Sequence, residues 1–194
     1  DAFGACKALK EIKVEAGNTA FTSIDGVLFN KEKTTLLTFP FANTANYQVP
    51  VGTTKIAPSA FSECNKLASI QFPNTLIEIG SEAFYKCLKL ENITFPNSIT
   101  AVGEGAFYGC EGLLLAELSK SMTIIPDNLL SKCTKLQKIK IPEGINKIAY
   151  QAFSNCSSLT QVEIPASVNN IESESFKACE SLNEIYCYIK EPLT

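Results

Sequence analysis

The sequence predicts an α/β solenoid, one domain over residues 1–187 built from 23-residue coils, each pairing a short strand with a short helical turn, and a C-terminal tail or linker over 188–194. Three observations predict it. Six of the eight cysteines, Cys64, Cys87, Cys110, Cys133, Cys156 and Cys179, stand 23 residues apart, a period characteristic of solenoid repeats. Their neighbours recur in fixed columns, as in EAFYKCLKLENITFP and QAFSNCSSLTQVEIP. Within one unit, Leu67-x-x-Ile70-x-Phe72-Pro73 ends in the period-two alternation of a strand, while Ala60-Phe61-x-x-Cys64-x-x-Leu67 has the three-residue spacing of a helical turn.

In chain order, DAFGACKALKEIKV carries the columns at Phe3, Cys6, Leu9, Ile12 and Val14, which predicts a first strand near residue 13. The next strand, at Tyr47 to Val49, comes 12 residues later than the period allows. The extra length fits a β-hairpin inserted at about residues 20–40, where SIDGVLFNKEKTTLLTFP reads as two alternating stretches around the polar turn Asn30 to Lys33. Eight parallel strands follow from this register, centred near residues 13, 48, 71, 94, 117, 140, 163 and 186, making a sheet about 35 Å across. A third inward column, Leu76, Ile99, Met122, Ile145 and Val168, leads to a corner at Ile79 and its equivalents. The coil between Cys110 and Cys133 keeps its length but departs in content: Leu129-Leu130 replaces Ala-Phe, Ala116 replaces Ile, Ser119 replaces Pro and Pro126 replaces Gly. The chain opens inside a repeat at Ala2-Phe3, which predicts sequence before Asp1, and CYIKEPLT leaves the pattern as a linker toward a further domain would.

Composition removes much chemistry. The 194 residues are 45% apolar and 19% charged, an ordinary soluble balance. A net charge of −3 without like-charge runs gives no footprint for nucleic acid or an anionic membrane surface. The chain has neither His nor Arg. It therefore lacks the base of a Ser-His-Asp or Cys-His site, imidazole for zinc, and the bidentate fork for carboxylate or phosphate. Its apolar runs are too short for a transmembrane segment.

The cysteine column, Cys6 included, invites a metal or redox reading. Equivalent side chains of successive coils repeat at roughly 4.8 Å or more, too far for unstrained disulfides, and in a line rather than about a point. Buried structural thiols are expected, with Cys187 in the core as well and no metal or cofactor. The column Phe61, Phe84, Phe107, Phe153 and Phe176 beside it is expected to be core rather than an aromatic platform.

Residues flanking the inward strand positions line the exposed, concave face in two lanes. One runs Lys13, Gln48, Gln71, Thr94, Glu117, Lys140, Glu163, Tyr186 and the other Glu11, Asn46, Ser69, Asn92, Leu115, Lys138, Gln161, Glu184. An apolar residue with Tyr and charged neighbours is the composition of an interface. Leu115, Glu117, Lys138, Lys140, Gln161, Glu163, Glu184 and Tyr186 are accordingly the candidate ligand-binding residues. The competing readings are a sheet face that is merely solvated, and a repacked coil that turns Leu115 inward. Glu117 and Glu163 fall two coils apart, roughly 9–10 Å, at the upper edge of inverting-glycosidase spacing; no catalytic residue is assigned.

The columns AF-x-x-C-x-x-L-x-x-I-x-I/F-P, clearest at Phe84, Cys87, Leu90, Ile93 and Pro96, together with the DGVLF hairpin, resemble the BspA-type leucine-rich repeats of bacterial surface proteins over nearly the whole chain. The resemblance implies a right-handed leucine-rich repeat solenoid on an extracellular or cell-surface, non-enzymatic protein. It also implies adhesion to host or matrix proteins or to another cell-surface protein. A rigid spacer displaying a neighbouring domain, or a module binding polysaccharide, are the alternatives.

Overall fold

The computed structural model describes residue 3 and residues 6–190. Its strands are β1 (Phe21–Ile24), β2 (Val27–Asn30), β3 (Thr35–Thr38), β4 (Asn46–Gln48), β5 (Lys55–Ile56), β6 (Ser69–Gln71), β7 (Glu78–Ile79), β8 (Asn92–Thr94), β9 (Ala101–Val102), β10 (Leu115–Glu117), β11 (Ile124–Ile125), β12 (Lys138–Lys140), β13 (Lys147–Ile148), β14 (Gln161–Ile164), β15 (Asn170–Ile171) and β16 (Glu184–Cys187). Residues 1, 2, 4 and 5, where the first repeat is expected to open, and 191–194, the end of the expected tail, lie outside the described residues.

Strands β4, β6, β8, β10, β12, β14 and β16 form one seven-stranded sheet, parallel throughout. The three-residue strands β6, β8, β10 and β12 each present one inward residue, Ile70, Ile93, Ala116 and Ile139, between outward neighbours, and β14 buries Val162 and Ile164. The corner column makes strands of its own. Strands β5, β7 and β9 pair in parallel on a second face, as do β11, β13 and β15. The two sets are separate sheets, and Pro126 removes one of the bonds that would join them. Gly103, Ala149 and Glu172 donate their N–H to Ile79, Ile125 and Ile148 one coil back, whereas Pro126, at the equivalent place, has no N–H to give Val102.

The expected helical turns are not helices, so the α part of the α/β expectation is corrected: among the described residues the fold is an all-β solenoid with turns. The N–H groups of Ala60, Ser62 and Cys64 bond three residues back, but those of Ser59, Phe61 and Glu63 donate to Ser81, Ala83 and Tyr85 of the next coil. A helix keeps its N–H groups within one segment; here every second one crosses between coils. The alternation requires left-handed backbone at two columns. One runs Ser59, Glu82, Gly105, Asn128, Gln151, Glu174 and the other Glu63, Lys86, Gly109, Lys132, Asn155, Ala178, every member with positive φ.

The core is a set of ladders. Phe39, Phe61, Phe84 and Phe107 stack at centroid spacings of 4.7 Å, and Phe153 stacks on Phe176 at 5.2 Å. Phe176, in the last coil, is only half-buried. The expected burial of the cysteine column holds from Cys64 to Cys179 and fails at Cys6 and Cys187, which are exposed. Among the described residues strand β16 pairs with β14 alone, so its four residues, Cys187 included, are exposed.

The N-terminal region differs from expectation twice. No strand forms near residue 13, so the sheet has seven strands rather than eight. Ile12 instead donates its N–H to the Gly26 carbonyl, and Lys13 and Glu11 form an exposed ion pair. The insertion is a three-stranded meander, not a two-stranded hairpin. Strands β1 and β2 are antiparallel, β2 and β3 likewise, and β3 joins β5 in parallel, which makes the insertion part of the second sheet. Asp25 and Gly26 both have positive φ, the backbone of a type I′ turn. Gly26 also lies against Glu11, whose Cβ a side chain there would meet at 2.6 Å.

Candidate functional site

The short strands place two outward residues per coil, and unshifted parallel pairing lines them up in lanes. Leu115 lies between Asn92 and Lys138, and Lys140 between Glu117 and Glu163. Leu115 is 41% exposed while Ala116 is 1% exposed, so the atypical coil keeps its register and Leu115 faces out. Leu115, Glu117, Lys138, Lys140, Gln161 and Glu163 line one hollow of about 810 Å³ on this sheet. Glu184 and Tyr186 lie outside its lining, on β16, where the Tyr186 hydroxyl donates to Glu184 Oε2 at 3.0 Å. That carboxylate raises the Tyr186 phenol above its usual range. Lys13 and Glu11, the expected first members of the lanes, are not in the sheet.

Lys120, Pro142 and Glu143 complete the hollow from beyond the strand ends, with Leu118 at its edge. The lanes missed them because they stop at the strand; Lys120 and Glu143 recur at the coil period and would have been found by extending each lane past the turn. Leu114, beside Leu115, is exposed as well. Among the described residues the ion pairs are Lys13–Glu11, Lys55–Glu78, Lys147–Glu172 and Lys177–Glu174. Lys120, Lys138 and Lys140 belong to none of them, so three ammoniums and an exposed leucine face the hollow without a direct carboxylate partner.

The buried cysteines have a backbone role. Cys87 Sγ donates to the Phe61 carbonyl at 3.1 Å, and Cys110, Cys133, Cys156 and Cys179 repeat the contact with the carbonyls of Phe84, Phe107, Leu130 and Phe153. Each thiol is a small apolar group that also supplies a weak donor between coils. Burial pushes the Cys64 thiol up to about 12 and raises Cys87, Cys133 and Cys156 well above the ordinary thiol range, which keeps these sulfurs protonated and poor nucleophiles. Among the described residues no three His, Cys, Asp or Glu side chains converge where they could hold a metal ion, and no helix is long and apolar enough to cross a membrane.

The coil architecture is shared with solved bacterial proteins. A leucine-rich cell surface protein of Faecalibacterium prausnitzii is 29% identical, with a TM-score of 0.66 over 98% of this chain and 45% of its own. A leucine-rich repeat protein of Eubacterium ventriosum, at 23% identity, superposes with a TM-score of 0.80 over 97% of this chain and 55% of its own. The T. pallidum leucine-rich repeat protein is 26% identical, with a TM-score of 0.70, over 77% and 72%. The chain thus spans about half the length of the first two. No curated protein matches it. Six copies of the BspA type leucine-rich repeat match residues 54–183, and with most of its length so accounted for the chain belongs to that family, whose repeats form binding or structural modules.

Proposed function

We propose that this chain is a non-enzymatic binding module on the outside of a bacterial cell, engaging a protein ligand through the outer face of its seven-stranded sheet. The observation that carries the reading is the hollow beside Leu115, which combines exposed apolar surface with unpaired Lys120, Lys138 and Lys140. An apolar centre rimmed by charge is how protein interfaces gain affinity and select partners. The description of the F. prausnitzii relative as a cell surface protein supports the extracellular placement. The ligand class that suits this surface is a host or matrix protein or another cell-surface protein.

The four-ring phenylalanine stack from Phe39 to Phe107 favours a second reading, a rigid spacer that holds a neighbouring domain away from the cell. A screen of the purified chain against extracellular matrix proteins, host cell surfaces and a polysaccharide panel separates the two, run beside a Lys138→Glu, Lys140→Glu variant. Saturable binding to a protein that the variant loses at unchanged melting temperature is the expected result. Absence of any partner for the folded chain favours the spacer, and saturable binding to glycan alone makes the face a carbohydrate site.

A further inference from the structure

A second surface, away from the seven-stranded sheet, carries chemistry that the binding face does not use. In the turns that follow β7 and β9, Tyr85 and Tyr108 occupy equivalent positions of neighbouring coils and stack with centroids 5.4 Å apart and rings 10° from parallel. Lys86 Nζ lies 5.0 Å from the Tyr85 centroid and Lys132 Nζ 5.2 Å from that of Tyr108, within the range of cation–π attraction. The rings thus hold two ammoniums that would otherwise sweep freely on four-carbon stems.

Lys86, Gly109 and Lys132 are successive members of one left-handed column, and the bare glycine makes room for the Lys86 stem that lies against it. A Cβ at Gly109 would stand 3.0 Å from Lys86 Cγ, so any side chain there would crowd the lysine stem. Neither lysine has an ion-pair partner among the described residues. The Tyr85 phenol beside it raises Lys86, with Glu63 contributing less. The Tyr108 phenol raises Lys132, against a smaller opposing push from the Lys86 charge. Two ammoniums fixed by aromatic rings and left without a carboxylate partner are an arrangement that an anion can complete.

We infer that the surface over the Tyr85–Tyr108 stack is an oxyanion site, in which Lys86 and Lys132, steadied on the rings, receive a phosphate or sulfate group with the phenol hydroxyls as further donors. It goes beyond the protein-binding reading, because it lies on another face and needs none of the residues of the hollow. The chemistry common to its sources is a tetrahedral oxyanion, carried by a sulfated or a phosphate-bearing polymer.

The test titrates the isotope-labelled chain with sodium sulfate, sodium phosphate and, at equal ionic strength, sodium chloride, reading the Gly109 amide by NMR. Saturable shifts with sulfate and phosphate and none with chloride are expected. Lys86→Gln with Lys132→Gln should weaken binding about tenfold or more. Tyr85→Leu with Tyr108→Leu, keeping both lysines, should weaken it about two- to fivefold, and Lys138→Gln with Lys140→Gln should leave it unchanged. Dextran sulfate and polyphosphate then separate the two sources, the tighter binder naming the group. Equal weakening by the two lysine pairs, or shifts that never saturate, would mean diffuse attraction to surface lysines and would overturn the site. Neither result bears on the hollow, whose ligand is read with Lys138 and Lys140 alone.

Discussion

The outer face of the seven-stranded sheet changes character half-way along a core that does not. Strands β4, β6 and β8 present Asn46, Gln48, Ser69, Gln71, Asn92 and Thr94, all uncharged, whereas β10, β12, β14 and β16 present Leu115, Glu117, Lys138, Lys140, Gln161, Glu163, Glu184 and Tyr186. Beneath both halves run the same buried columns, with Phe61, Cys64 and Leu67 in one and Phe153, Cys156 and Leu159 in the other. Folding therefore fixes the inward positions and leaves the outward lanes free. In the first half neighbouring side chains satisfy each other, as where Ser69 Oγ donates to Asn46 Oδ1 at 2.7 Å. In the second half Lys120, Lys138 and Lys140 stay without an ion-pair partner beside the hollow, and on the proposed reading they serve a ligand rather than the fold.

The largest effect expected from a shared core is alkaline unfolding. Buried thiols raised in the folded state ionise in the unfolded chain first, so stability is intact below the unfolded thiol range and falls as pH rises from there toward the folded values. Each such thiol removes about 1.4 kcal/mol per pH unit in that window. With Cys64, Cys87, Cys133 and Cys156 all raised, roughly 5 kcal/mol should vanish between about pH 9 and 10, read as a falling urea midpoint. Cys64→Ser in the first half and Cys156→Ser in the second should flatten the curve by similar amounts. A curve that is level to pH 10 would mean that the thiols ionise without unfolding the coils. Next in size, Phe84→Ala and Phe153→Ala should each cost about 3–5 kcal/mol, and a clear inequality between them would break the claim that the halves share one core.

Much of this organisation was legible because each inward column repeats the same residue type. Period, register, outward lanes and the buried cysteines and phenylalanines could all be read from it. What escaped depends on neighbours rather than on columns. Cys6 and Cys187 stand in core-type columns but are exposed, and the described residues supply no coil that covers them. Three-residue spacing suits a helical turn and a turn bonded across coils equally, and only Gly105, Gly109, Asn128 and Asn155 hinted at left-handed backbone. The Asp25-Gly26 pair is a direct signal for a tight hairpin that the more polar Asn30 to Lys33 turn masks; the molecule uses both. Of the hollow, the strand residues were legible and Lys120 and Glu143 were not, because they lie where the alternation stops.

The division of the face itself can be tested by moving it. Ser69→Leu, Gln71→Glu, Asn92→Lys and Thr94→Lys together copy the pattern of Leu115, Glu117, Lys138 and Lys140 onto β6 and β8. Exposed substitutions of this kind should change stability by no more than about 0.5 kcal/mol each. For a ligand captured by the native hollow, Lys138→Glu with Lys140→Glu should cost at least tenfold in affinity, about 1.4 kcal/mol, and the copy on β6 and β8 should restore part of it. Loss of folding in the copied variant would show that the uncharged lanes do contribute to the core.

The smallest effect concerns the boundary. The lanes change between β8 and β10, and the second face breaks between β9 and β11, across the same pair of coils. The features that depart from the repeat gather in the second of that pair: Ala116 and Leu130 are smaller than their equivalents, Leu115 and Ile124 are exposed apolar residues, and Pro126 lacks a donor. Pro126→Ala would supply an N–H for the Val102 carbonyl, worth about 0.5–1.5 kcal/mol, and would surrender about 0.4–1 kcal/mol of restraint on the unfolded chain. The net change should be a few tenths of a kcal/mol, too small for denaturation to separate from zero. Hydrogen exchange separates it. If the amide introduced at position 126 is protected as strongly as those of Gly103 and Ala149, the missing donor alone divides the second face. If it exchanges freely, the coils are held apart there by their side chains, and the coil that carries Leu115 is a true joint between two halves of the stack.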